Sequence, residues 1–93
     1  MKPYDSLIYI FVDNDEDGKR IFDQVTESTE REKKERNEPN ITIGVKVMNV
    51  NDDIVMKNAY HINHTPTIVL LDRHVKEVRR YLIDNEINKR IGD

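Results

Sequence analysis

The stretch VMNVNDDIVMKNAYHINHTPTIVLLDRHVKEVRR, residues 47–80, decides the fold. TIVLL (67–71) is an uncharged apolar run of strand length, and it reads as a buried strand. VKEVRRYL (75–82) follows after the tight connection DRH and reads as a further strand, antiparallel to the first. Upstream, IVMKNAYHI (54–62) has helical spacing, with Ile54, Val55, Ala59 and Ile62 expected to face inward. The Asn and Asp residues of MNVNDD stand ready to cap that helix. NHTP, ahead of TIVLL, is a turn.

Working outward, ITIGVKV (41–47) reads as a strand and SLIYIFV (6–12) as a central strand buried on both faces. From Lys19 the period changes to that of a helix, with Ile21, Phe22 and Val25 on one face. TESTEREKKER then carries Glu27/Arg31, Glu30/Lys34 and Glu32/Arg36 at i,i+4 with the acid first, which suits a helix running out into water. NEPN (37–40) stops it. IDNEINKRIG reads as a short closing helix through Ile87 and Ile91. The order is β-α-β-α-β-β-α, an α/β fold with a four-stranded mixed sheet and helices on both faces. Residues 1–93 form one domain, without repeat or linker. Ile8, Ile10, Ile68, Val69 and Leu70 are expected to supply core contacts from adjacent strands.

Composition narrows the function. A 93-residue chain buries roughly 60–65% of its unfolded surface, so its stability margin is small. There are no cysteines, which removes disulfides, thiolate nucleophiles and cysteine-held metal clusters. With no charged-then-apolar leader after MKPYDS, this favours an intracellular, cytoplasmic protein. No apolar run approaches a membrane span. The net charge of −3 gives no help to nucleic-acid binding. Arg73, Lys76, Arg79 and Arg80 make the last hairpin locally basic, but Asp72 and Glu77 interrupt it, and a charged edge that resists strand pairing accounts for it.

The order of elements, and above all the acidic loop, the short helix ending in Tyr60-x-Ile62 and the HTPT that precedes the apolar strand, resembles the thioredoxin-like family. The resemblance implies a cis peptide bond before Pro66. It also implies a Cys-x-x-Cys at the start of the first helix, where this chain has DNDEDGK, with Asp15 and Gly18 in the places of the two sulfurs. Thiol–disulfide oxidoreductase activity therefore does not carry over.

DNDEDG (13–18) admits three readings. As a helix start, Asp13 and Glu16 have capping-box spacing and the other acids favour the helix dipole. As a cation loop, Asp13-x-Asp15-x-Asp17-Gly18 matches the first half of a calcium site, although Gln24 stands where a bidentate Glu belongs. By resemblance, the loop lies beside the proline turn, near His61 and His64, where Zn²⁺ or Mn²⁺ binding or acid–base work is conceivable chemistry. The function expected is a binding or adaptor module without redox chemistry or resident cofactor. It takes a protein or peptide partner at Thr65, Pro66, His64 and Asp15. The alternative is a small divalent-metal protein or metal-dependent enzyme that holds Ca²⁺ or Mg²⁺ weakly through Asp13, Asp15 and Asp17.

Overall fold

Residues 4–83 are described by a computed structural model. Strand β1 (Ser6–Val12) is followed by helix α1 (Asp15–Glu35), strand β2 (Ile43–Asn49), helix α2 (Ile54–Ala59), strand β3 (Thr67–Leu71) and strand β4 (Glu77–Leu82). The sheet runs in the order β2-β1-β3-β4. β1 pairs parallel with β2 and antiparallel with β3, and β4 closes the far edge antiparallel to β3. The architecture is the mixed four-stranded sheet expected, with SLIYIFV inside it. The closing helix through Ile87 and Ile91 lies outside the described residues.

From Leu7 onward β1 is apolar or aromatic, and side chains on both of its faces are packed. Ile8, Ile10 and Val12 join Ile21 of α1 in one buried cluster. Phe11 joins Met48, Val50, Ile62, Val69 and Leu71 in the other, with Tyr9, Met56 and Tyr60 packed against it. Tyr9 and Tyr60 meet edge to face, 5.6 Å between ring centroids, a geometry that ring quadrupoles favour. Ile8, Ile10 and Val69 are buried as expected, but Ile68 and Leu70 are only half-buried. The reason is that α1 lies over β1 and β2 rather than over β3.

Several boundaries differ from the sequence reading. β2 begins at Ile43 and continues to Asn49, two residues later than ITIGVKV, because its register follows β1 from Ser6↔Ile43 to Val12↔Asn49. Thr42 instead receives the N–H groups of Asp5 and Ser6 on its carbonyl. α1 starts at Asp15, and its N-cap is Asn14, whose side chain accepts from the Asp17 N–H at 2.7 Å. The capping pair is thus Asn14 with Asp17, not Asp13 with Glu16. Along the exposed part of α1, Glu27–Arg31 and Glu32–Arg36 pair at 3.4 and 3.0 Å, while Glu30 pairs with Lys33 rather than Lys34.

α2 ends at Ala59, three residues short of the reading, in a Schellman arrangement: Ile62 N–H donates to the Lys57 carbonyl and His61 N–H to that of Asn58. His61 has φ 52° there. Ile54, Val55 and Ala59 do not face inward, and Ile54 and Val55 are 59% and 78% exposed. A helix of under two turns presents one side chain well to the sheet, Met56, and Tyr60 and Ile62 beyond its end complete the contact. β4 begins at Glu77 rather than Val75. Val75 N–H closes a turn onto the Asp72 carbonyl at 3.0 Å, Val75 itself has φ 62°, and the ladder is bulged at Leu70/Leu71.

Candidate partner-binding site

Three loops meet at the end of the sheet where β1 and β2 finish: residues 13–14 before α1, 50–53 before α2 and 63–66 before β3. Polar side chains tie them together. Thr65 Oγ1 donates to Asp13 Oδ2 at 3.2 Å. Asn51 Nδ2 donates to the Asp13 carbonyl at 3.0 Å, and Asn49 Nδ2 to Asp15 Oδ1 at 3.3 Å. The Asn51 N–H is held by Asn49 Oδ1 at 2.9 Å. Asn49 and Asn51 were legible only as loop formers beside a helix cap, a role that falls to Asp53, which accepts from Met56 N–H at 3.2 Å. Their bridging appears only when the strand ends are brought together.

The third loop is held from the opposite side. His64 Nε2 lies 2.6 Å from the Ile83 carbonyl, and since a carbonyl only accepts, the imidazole carries a proton on that nitrogen. Thr67 Oγ1 donates to the His64 carbonyl, and Ile83 N–H to the Pro66 carbonyl at 3.0 Å. The Thr65–Pro66 peptide bond is cis. Pro66 and Thr67 are buried and Thr65 is half-buried. Among the described residues the backbone N–H and carbonyl of Thr65 have no hydrogen-bond partner.

Of the residues singled out from sequence, Thr65 and Asp13 are in contact, Asp15 is turned toward Asn49, and His64 is engaged with the backbone of Ile83. His61 is exposed at the end of α2. Asp17 pairs with Arg20 at 3.0 Å and also receives Asn14 Nδ2 at 3.1 Å, and these two contacts hold its carboxyl below the ordinary value. Asp13 likewise receives Asn14 Nδ2, at 2.8 Å. Asp13 and Asp17 thus share the Asn14 amide while Asp15 turns to Asn49, and among the described residues no group of three or more His, Asp or Glu is placed to hold a metal ion.

The surroundings are acidic and partly apolar. Asp13, Asp15, Glu16, Asp17, Asp52 and Asp53 cluster at this end of the chain's elements, against Lys19, Arg20 and Lys57. Beside them stand the exposed side chains of Ile54 and Val55.

This sheet order, a long helix leaving directly from the central strand, a proline loop tied back to that helix's start and the absence of cysteine define a cysteine-less protein of thioredoxin-like fold. Among solved structures it is similar to the N-terminal domain of SasA from Synechococcus elongatus, with a TM-score of 0.61 and 18% sequence identity over 95% of this chain and 76% of that one. At that identity the likeness is one of fold. No protein-family model matches the chain, and no curated protein matches it. Among the described residues no helix is long and apolar enough to cross a membrane.

Proposed function

We propose that this protein is a binding module that takes an extended segment of a partner protein along the Thr65 loop, without redox chemistry. The observation that carries this reading is the backbone of Thr65, which offers an N–H and a carbonyl unpaired among the described residues at the open end of the sheet. An extended peptide satisfies such groups by main-chain pairing, and its side chains then supply selectivity. The Asp13–Thr65 contact and the His64–Ile83 contact hold the loop in place before binding, which lowers the ordering cost of association. The six clustered acids call for Lys or Arg in the partner. Ile54 and Val55 call for an aliphatic side chain near them. Asp13 and Thr65 form the contact region, with Pro66 and His64 as its support and Asp15 at its margin.

The test uses the full chain as bait for a display library of random seven-residue peptides, followed by NMR titration of the chain with the selected peptides. The expected result is enrichment of peptides with Lys or Arg beside an aliphatic residue. Shifts should concentrate at 13–15, 51–55 and 64–66, and amide exchange at Thr65 should slow on binding. Selected peptides whose shifts fall at the far end of α1, or the absence of any selected peptide, would reject the reading.

A further inference from the structure

The two edges of the sheet differ in charge. β4 carries Glu77, Arg79 and Arg80 among its six residues, while β2, at the other edge, carries only Lys46 in seven. Charges on an edge strand discourage pairing with another chain, and a regular edge nearly free of them invites it. The Thr42 carbonyl and the Val50 N–H bond to β1. Alternate residues of a strand turn their backbone groups to the same side, so Gly44, Lys46 and Met48 also face β1. Ile43, Val45 and Val47 turn theirs outward, and among the described residues these groups have no hydrogen-bond partner.

Helix α1 stands beside this open edge. Gly18 lies over Val12 and Val47, and Ile21 packs into the cluster of Ile8, Ile10 and Val12. One position further, about 100° round the helix, Phe22 occupies the opposite flank, above the β2 edge, and is 37% exposed. From Gly18 to Phe22 is about 6 Å along the helix, and from Val47 back to Val45 about 7 Å along the strand. The helix of a β-α-β crossover runs against its strands, so Phe22 is level with Val45. Lys19 and Asp23, on the same flank, are exposed and in no ion pair among the described residues.

We infer that β2 pairs antiparallel with β2 of a second copy, about a two-fold axis through Val45, so that two four-stranded sheets become one. Such an axis stands normal to the sheet and keeps each face on its own side. Centred on Val45, it sets Val45 against Val45 and Ile43 against Val47 of the second copy, β-branched pairs that support strand pairing. Gly44 then faces the second copy's Lys46, whose ammonium reaches the exposed Tyr4 ring packed beside Gly44. A centre on Lys46 would oppose two ammonium groups, and one on Val47 would set Lys46 against buried Met48. The helices agree with this register. α1 lies astride β1 and β2, so its two copies stand two strand spacings apart, about 9–10 Å, and packed helices lie about 8–10 Å apart. The Phe22 rings meet on the axis. Because the helices run antiparallel, each Lys19 lies beside Asp23 of the other copy, which makes the contact complementary in charge. The inference does not rest on what the Thr65 loop binds.

The test is sedimentation of the full chain from low micromolar to several hundred micromolar concentration, with amide exchange followed by NMR over the same range. A monomer–dimer equilibrium is expected. The amides of Ile43, Val45 and Val47 should exchange more slowly as the dimer forms, while those of Gly44 and Lys46, already bonded to β1, should not change. Lys19→Asp or Asp23→Lys alone should weaken the dimer about three- to tenfold, and the two together should restore it. Phe22→Lys should be folded by circular dichroism and monomeric. A chain that stays monomeric throughout would overturn the inference. So would a dimer in which the Ile43, Val45 and Val47 amides keep the monomer's exchange rates, a double variant no tighter than the single ones, or a folded Phe22→Lys chain that still dimerises.

Discussion

Thr65 and Asp13, 52 positions apart in the chain, are joined by a 3.2 Å hydrogen bond from the Thr65 hydroxyl to the Asp13 carboxylate. This bond links the loop before α1 to the loop before β3, and it sits beside the one loop backbone proposed to take a partner. A hydrogen bond to a charged group contributes about 1.5–3 kcal/mol in favourable settings, but Asp13 is exposed, so the smaller contribution of an ordinary hydrogen bond, about 0.5–1.5 kcal/mol, applies. In a double-mutant cycle of Asp13→Ala and Thr65→Val, read by urea denaturation, a coupling of about 0.5–1.5 kcal/mol is expected. Additive effects would mean the two side chains do not work together in solution.

The opening of α1 should behave as a cap and not as a metal site. Asn14→Ala removes the acceptor of the Asp17 N–H and is expected to cost about 1 kcal/mol, a fall in Tm of about 4–8 °C for a domain of this size. Asn14→Asp and Asp15→Asn should be mild. Calcium or magnesium at low millimolar concentration should leave the Tm of the chain unchanged against an EDTA control. A rise of several degrees that vanished in Asp15→Asn and Asp17→Asn would transfer the loop to the metal reading.

Gly18 is buried in the first turn of α1, and a Cβ there would stand 2.9 Å from Val47 Cγ1 and 3.3 Å from Val12 Cγ2. Alanine in a helix interior is normally favoured over glycine by about 0.8–1.0 kcal/mol. Here the crowding, about 1–3 kcal/mol for an overpacked site, is set against that gain, because both valines are stiff at χ1. Gly18→Ala should therefore lower the Tm. An increase would show that α1 can lift off the sheet at little cost.

Val75 holds a left-handed backbone conformation, φ 62°, in the turn between β3 and β4, and it is 51% exposed. A β-branched side chain is strained there by about 1–2 kcal/mol. Glycine relieves that strain while gaining freedom in the unfolded chain. Val75→Gly is expected to raise stability by up to about 1 kcal/mol in chemical denaturation. Val75→Ala, which keeps a Cβ, should yield less.

Acid should destabilise the fold through three carboxylates. Asp17 is held below its ordinary value by Arg20 and Asn14, Asp72 by the backbone amides of Lys76 and His74, and Glu77 by Arg80. A carboxyl whose folded pKa is depressed binds its proton first in the unfolded chain. Its stabilisation is therefore complete above the ordinary value and is lost as pH falls through the lower folded value. Stability should be level above pH 4.5, the ordinary value for Glu77, and fall from there through 3.8, the ordinary value for the two aspartates, and below. The measurement is the urea midpoint across that window. Arg80→Gln should flatten the upper part of the fall.

Much of this protein was determined by local sequence. SLIYIFV and TIVLL are largely apolar on both alternations, and a position inside a sheet suits such runs, although of the two only β1 is covered by α1 while Ile68 and Leu70 of β3 stay half-buried. The order of elements, the missing thiols and the likeness around HTPT followed from residues that can be read one stretch at a time. What escaped was whatever depends on a partner distant in the chain. β2 reaches Asn49 because β1 offers seven ladder positions, a fact invisible in ITIGVKV itself. Ile54 and Val55 have helical spacing, yet a helix of six residues turns only Met56 well to the core and leaves them in water. Asn49 and Asn51 looked like loop and cap residues, and His64 was read as a site residue without its tie to the Ile83 carbonyl; all three became ties of the candidate site once β1, β2 and β3 placed their ends together. Local propensity and hydrophobic period determine which segments become strands and helices. The polar contacts that build the site arise between loops dozens of residues apart, and only the packing of the sheet decides which of them meet.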